Sequence, residues 1–247
     1  MKKWFIESCP NWLFPTISNT YYALSHKEKV KIDKDKGGWL VQKGEIKLLS
    51  PTPKFLGFGM SEFENKCERV FKIEKGDTVL DVGACIGDTT TPMALKTGPT
   101  GQVIAVEPHP LNVKYLEYNM AIFKNIEIIQ KAVWKEKTKI KFNVHSSPTG
   151  HSIIADKERD QSIEVQADTL DNICCHRRID FAKIDVQGAE AQALEGGDEF
   201  LRTIRKLVRW DPEKRTYPSI LDILNTYDFE SVIYSPQNGV VYACRGD

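Results

Sequence analysis

Apolar residues along the chain fall into short runs, alternating stretches and helical stripes, in a recurring strand–helix order. Val79-Leu80-Asp81-Val82, Val103-Ile104-Ala105-Val106, Glu127-Ile128-Ile129, the segment 180–186 and the segment 206–210 are short apolar runs with β-branched members. Runs of this kind predict strands buried on both faces of a parallel sheet. Helical stripes lie between them. Ser61 with Glu64 makes a capping box, and Phe63, Cys67, Val70 and Phe71 share one face, which predicts a helix over 61–72. Asp88, Thr89, Thr90 and Thr91 are capping residue types before Pro92, and Gly98-Pro99 closes the helix they open. Leu111, Tyr115, Leu116, Asn119, Met120 and Phe123 repeat with helical spacing behind Pro110. Segment 189–203 predicts a helix that Gly196-Gly197 kinks or splits, and 218–227 predicts an amphipathic one. Period-2 alternation marks 139–144 and 162–167 as inserted β structure, and 229–234 with 239–244 as a closing antiparallel pair. Strands and helices in this order make an α/β fold with a mostly parallel sheet covered on both faces.

Residues 1–60 follow a different pattern and read as an N-terminal extension to a domain spanning 61–247. Trp4, Phe5, Trp12, Phe14, Tyr21 and Tyr22 crowd the opening, while Pro10 and Pro15 argue against one continuous helix. Segment 26–37 is lysine-rich and reads as an exposed connection. The stretch 39–49 predicts a hairpin turning at Lys43-Gly44. The aromatics fit either a cap over a binding site or a cover for one end of the sheet.

Candidate chemistry concentrates where strands end. The run 78–82 stops at Gly83, and Gly83 and Gly87 bracket a turn that leads into a helix. Strand, glycine turn and helix N-terminus together bring backbone N–H groups to a polar ligand. Cys85 stands where a G-x-G-x-x-G fingerprint needs glycine, and no G-x-x-x-x-G-K-[ST] occurs, so neither a dinucleotide loop nor a P-loop is indicated. Glu107 follows the next strand, about twenty residues past the turn, where doubly wound folds set an acid against ribose hydroxyls. A nucleoside carrying an amino acid fits this combination. Asp185 ends the strand at 180–186, and Glu190 opens the next helix, where it is either a functional acid or one favoured by the helix dipole.

Three ordered blocks carry a resemblance: Asp81-Val82-Gly83-Ala84-Cys85-Ile86-Gly87-Asp88-Thr89-Thr90, Val106-Glu107-Pro108-His109-Pro110 with Asn112, Leu116 and Asn119, and Lys183-Ile184-Asp185-Val186-Gln187-Gly188-Ala189-Glu190 with Leu194, Glu195 and Gly196. The chain resembles the FkbM family of class I S-adenosylmethionine-dependent methyltransferases. The resemblance implies a Rossmann-like, seven-stranded, mostly parallel sheet and S-adenosyl-L-methionine as cofactor. It implies a cofactor site of Asp81, Gly83, Ala84, Cys85, Gly87, Thr89, Glu107, Pro108, Ala132, Val133 and Asp185. Asp185 and Glu190 are the catalytic candidates. His151, in a polar loop beginning near His145, is a third, with a surface histidine as the alternative. Trp134 lies beside the adenine or in the core. The implied reaction is O-methylation of a small-molecule or glycan hydroxyl, which calls for a base to take the hydroxyl proton. Gln187 departs from the family, which has glutamate there; the amide keeps hydrogen bonding and loses the charge a base or hard-metal ligand needs.

Composition narrows the remaining choices. The 247 residues carry 34 basic and 34 acidic side chains, which leaves no electrostatic footprint for nucleic-acid binding. The six cysteines form no C-x-x-C and no paired zinc spacing, so reduced thiols and no metal site are expected. No run of 18 apolar residues predicts a membrane span, and Glu7 and Pro10 interrupt any leader-like segment, so a cytoplasmic location is expected. The competing readings are a methyltransferase fold that binds without turnover, a nicotinamide oxidoreductase and a nucleic-acid methyltransferase. The pattern is silent on oligomeric state.

Overall fold

The computed structural model describes residues 9–24, 30–35, 37–43, 46–53, 68–144, 161–210, 217–235 and 239–245. Its main sheet has seven strands in the order β12-β13-β11-β10-β4-β5-β6. These are β4 (Thr78–Val82), β5 (Gln102–Val106), β6 (Ile126–Ile129), β10 (Phe181–Ile184), β11 (Lys206–Trp210), β12 (Ser231–Ser235) and β13 (Val240–Cys244). All pairs are parallel except those of β13, which runs antiparallel to both β11 and β12. The apolar runs therefore pair as their composition requires, and the alternating C-terminal stretch closes the edge.

Helices cover both faces. On one, Leu80, Val82, Ile104, Val106, Ile184 and Leu207 pack against Leu194 of α5 (Glu190–Glu195), Leu201 of α6 (Asp198–Thr203) and Ile220 and Leu224 of α7 (Tyr217–Leu224). Leu170 and Ile173 of α4 (Leu170–Cys174) join the same core. On the other, Val79, Val103 and Phe181 pack against Met93 of α2 (Thr90–Thr97). Leu116 and Met120 of α3 (Pro110–Met120) pack against Ala105 and the 84–86 turn. The segment 189–203 is two helices. A Cβ on Gly196 would lie 2.5 Å from the Trp134 carbonyl, so the chain passes too close there for a side chain.

The inserted β structure is a separate sheet in which β9 (Gln161–Asp168) pairs antiparallel with β8 (Thr138–Val144) and parallel with the two-residue β7 (Ala132–Val133). A third sheet precedes the main one: β1 (Val30–Asp35), β2 (Gly38–Lys43) and β3 (Ile46–Ser50). The hairpin over 39–49 is its β2–β3 half. Of the lysine-rich segment, 26–29 and 36 lie outside the described residues, while Val30–Asp35 is no exposed connection, because β1 pairs along its whole length with β2. Ile32 is buried within it, and the charged neighbours Lys31, Asp33, Lys34 and Asp35 stand in solvent. Charge hid a strand that Ile32 anchors. The helix expected over 61–72 lies mostly outside the described residues; within them, 68–70 form a turn. That turn is held by Glu68, whose Oε1 accepts from the Ile73 N–H at 3.2 Å.

Asparagine side chains cover both edges of the small sheet. Asn19 of α1 (Phe14–Leu24) donates to the Ile32 carbonyl at 2.9 Å and accepts from its N–H at 2.8 Å, as a neighbouring strand would. Asn119 of α3 does the same for Leu49, accepting at 2.7 Å and donating at 3.0 Å. The amide of Asn119 also donates to the Ile86 carbonyl at 2.8 Å. Each asparagine thereby occupies the edge at one residue, Ile32 on β1 and Leu49 on β3, where another strand could otherwise pair. Leu48 packs with Ala84, Cys85 and Ile86, so residues on either side of position 60 share a core.

Replacing Asn119 by alanine strips partners from Leu49 N–H, Leu49 C=O and Ile86 C=O, all buried. The expected loss of folding stability is about 2–4 kcal/mol, read as a lower urea midpoint at unchanged m-value.

Candidate active site

Strand order reverses between β4 and β10, and the crevice outside their carboxyl ends is where an open α/β sheet takes its ligand. Three acids at or beside strand ends, Asp81, Glu107 and Asp185, converge there. Each is best read from its hydrogen bonds.

Asp81 is fully buried, with Oδ1 accepting from Lys183 Nζ at 2.9 Å. Its Oδ2 accepts from the hydroxyls of Thr89 and Thr90, both at 2.8 Å. The β4–β10 register sets Lys183 directly opposite Asp81. Lys183 is 2% exposed and also reaches the Gly83 carbonyl at 3.4 Å. The threonines thus serve Asp81. Thr89, at the N-cap of α2, has φ −91 and ψ −34 and makes no side-chain cap bond, contrary to the capping expected of it.

The glycine turn is dictated by close approaches. Gly83 has φ +80, and a Cβ there would sit 2.0 Å from the Asp185 carbonyl oxygen. At Gly87, with φ +97, a Cβ would meet Met120 Cε at 2.7 Å. Between them Cys85, buried, takes φ 53, a left-handed conformation that costs a non-glycine residue roughly 1 kcal/mol. What holds it there is Glu107, whose Oε2 accepts from the Cys85 N–H at 3.0 Å. Glu107 Oε1 accepts from the His109 N–H at 2.9 Å and from Asn112 Nδ2 at 3.3 Å. Burial pushes the Glu107 carboxyl up to about 7. His109 is the N-cap of α3, accepting from the Asn112 N–H at 3.4 Å, and burial lowers its pKa, which suits an acceptor ring nitrogen. Ala84 is buried within the turn and Pro108 half-buried beside it.

Asp185 follows β10, with its N–H donating to the Val82 carbonyl at 3.1 Å. Burial pushes its pKa up to about 6, Lys183 working in the opposite sense. Gln187 Nε2 donates to Asp185 Oδ1 at 2.8 Å. Glu190, 1% exposed, accepts from the Val186 N–H at 3.3 Å and with both oxygens from the Gly188 N–H at 3.1 Å, so it pins the turn that carries Gln187. Ala132 is buried with Phe142, Val165 and Ala167, and Val133 lies in the main core. Trp134 packs against the Ala132 cluster. His151 and its loop fall outside the described residues.

Asp81, Gly83, Cys85, Thr89, Glu107 and Asp185 are therefore linked through one hydrogen-bonded frame. Sequence reasoning gave no role to one member of it, Lys183. Lys183 is a lysine inside a buried strand, which is itself a signal, since such a charge needs a partner. Asp88, buried, has a pKa raised to about 6, with burial the chief cause.

The family model for the FkbM methyltransferase domain matches residues 81–231. The chain belongs to the FkbM methyltransferase family. Among solved structures, fibrillarin from Aeropyrum pernix in complex with natively bound S-adenosyl-L-methionine is similar at a TM-score of 0.51 and 13% identity, over 88% of this chain and 83% of that one. A fibrillarin–Nop5p complex gives 0.51 and 14%, over 87% of this chain and 97% of that one. At these identities the likeness is one of fold. No curated protein matches the chain. Among the described residues of the FkbM chain, no helix is long and apolar enough to cross a membrane.

In this FkbM domain the ion pair and the raised carboxyls make opposite demands. Lys183→Met leaves Asp81 charged and buried, and a loss of about 3–5 kcal/mol is expected from urea denaturation; Asp81→Asn combined with Lys183→Met should recover part of it. Asp88, Glu107 and Asp185 hold protons more readily folded than unfolded. The folded state thus binds more protons from about pH 4 to 7, and stability falls as pH rises through that window. The ligand-free protein should melt higher at pH 5 than at pH 8, and Glu107→Gln or Asp185→Asn should flatten the slope.

Proposed function

We propose that the protein is an S-adenosylmethionine-dependent O-methyltransferase acting on a hydroxyl of a small molecule or glycan. The observation that carries this reading is Asp185: a carboxylate at the strand-order reversal, beside the glycine turn, with its pKa raised to about 6. A base so tuned is ionised at neutral pH and still basic enough to take a proton as an alcohol attacks.

S-adenosyl-L-methionine is the cofactor, and its sulfonium supplies an activated methyl group when bound. The residues fit it. Asp81, Asp88, Glu107 and Asp185 lie around Lys183, a cation that offsets Asp88, Glu107 and Asp185. A crevice with this balance favours a positively charged ligand over a neutral one. Glu107, which follows β5, is the acid we assign to the ribose hydroxyls; a carboxylate accepts about four hydrogen bonds, and three of these come from the chain itself. Gly83, Ala84, Cys85 and Gly87 form the turn against which the amino-acid portion rests. Pro108, Ala132 and Val133 supply the apolar edge for the adenine. Asp81 and Thr89 position that turn and the start of α2. Asp185 receives the acceptor proton, and Glu190 keeps the following turn in place. His151 remains a candidate contact to the acceptor. Proximity and alignment do most of the work in such a transfer, because the leaving group needs no protein help.

Calorimetric titration tests the cofactor part. Affinity for S-adenosylmethionine should tighten from pH 5.5 to 8 as Glu107 and Asp185 ionise, and by more than affinity for neutral-sulfur S-adenosylhomocysteine. Glu107→Gln should weaken both. Asp185→Asn should keep affinity for S-adenosylhomocysteine, lose part of the pH-dependent tightening toward S-adenosylmethionine, and lower turnover with hydroxylated acceptors about 10²–10⁴-fold. Absence of binding by the folded wild-type protein would refute the assignment, and binding without methyl transfer across a broad acceptor screen would leave a binding protein instead.

A further inference from the structure

We propose that Gln187 is the positioning residue of the base: its side-chain amide fixes the orientation of Asp185 and keeps that carboxylate ionised. The inference rests on the reading of Asp185 as the group that takes the acceptor proton.

The backbone sets it up. Gln187 has φ 54, a left-handed conformation unfavourable for a residue with a Cβ, and Gly188 follows with φ 101. Glu190 holds this turn through the N–H groups of Val186 and Gly188. The turn brings Gln187 Nε2 to 2.8 Å from Asp185 Oδ1. A hydrogen bond to one oxygen restricts rotation of the carboxylate and so fixes where Oδ2 points.

The chemistry depends on its being an amide. An ionised glutamate has no proton to donate. At this spacing two carboxylates share a proton, and one of them stays neutral near pH 7. Among the described residues, the other groups that face Asp185 are Lys183 on β10, Glu190 on α5, Asp81 on β4 and Asp88 on the turn before α2. Acids outnumber the cation there. Gln187 favours the ionised base without adding another negative charge, and its hydrogen bond works against the upward push of burial. In the transfer the acceptor oxygen forms a bond to the methyl carbon. The carbon–sulfur bond breaks with its electron pair staying on sulfur, and the hydroxyl proton passes to Asp185. A base held ionised and aimed is ready for that proton at neutral pH.

The experiment is a carboxyl-carbon NMR titration of the full chain, with Asp185 assigned through Asp185→Asn. Two variants are compared with the wild type: Gln187→Met, which keeps length without a donor, and Gln187→Glu, which keeps shape. The Asp185 midpoint should rise by roughly one pH unit in Gln187→Met and further, in two coupled steps, in Gln187→Glu. Affinity for S-adenosylhomocysteine should stay within about threefold of wild type. With an acceptor in hand, the acid limb of the kcat profile should move by the same interval. An unchanged midpoint in either folded variant would overturn the proposal. Undiminished kcat in Asp185→Asn would instead overturn the assignment of the base, while leaving the midpoint shift standing, so the two failures are read separately.

Discussion

Two opposite charges buried between adjacent strands organise this protein. Asp81 and Lys183 face one another across β4 and β10, both nearly inaccessible to water. Desolvating such a pair is costly, and the cost is offset only where further hydrogen bonds complete it. Thr89, Thr90 and the Gly83 carbonyl do so. As a result one interaction fixes the strand pair at the reversal point, the first turn of α2 and the entry to the glycine turn. It also places a positive charge beneath Asp88, Glu107 and Asp185, which moderates carboxyls that burial alone would neutralise.

The main sheet was legible because its central strands β4, β5 and β10 are buried on both faces and therefore mostly apolar. Asp81, Glu107 and Asp185 were legible because an acid that ends such a run interrupts it. The role of Lys183 was not, since its partner is 102 residues away and pairing across strands leaves no local trace. The threonines before α2 misled for a related reason. Their type suits a helix cap, but a buried carboxylate competes for the same hydroxyls and offers a stronger, charge-assisted bond. β1 was hidden by its charges, because Lys31, Asp33, Lys34 and Asp35 around the buried Ile32 read as solvated chain. The two-helix form of 189–203 was half visible in Gly196-Gly197, but only the approach of the Trp134 carbonyl decides between kink and break.

The family match begins at Asp81, and the small N-terminal sheet lies before it. That sheet is nonetheless bound to the glycine turn. Leu48 packs on Ala84, Cys85 and Ile86, and a single asparagine joins Leu49 to Ile86. Glu107 braces the same turn from the other side through Cys85. A segment outside the shared domain and an acid inside it therefore hold one loop between them, and the strained conformation of Cys85 persists because both do.

The separation of Asp81 from Lys183 also has a meaning in time. Pairings between distant residues form late, since closing a long loop costs entropy before any contact repays it. During synthesis the strand bearing Asp81 leaves the ribosome well before its lysine exists, and until then burying that side chain costs either an unmatched charge or a proton. The crevice is thus assembled only when the third of the motif blocks arrives. A nascent chain lacking that block holds the glycine turn and Glu107 without the strand that gives them a floor, so the ability to bind a nucleoside is withheld until the sheet can close.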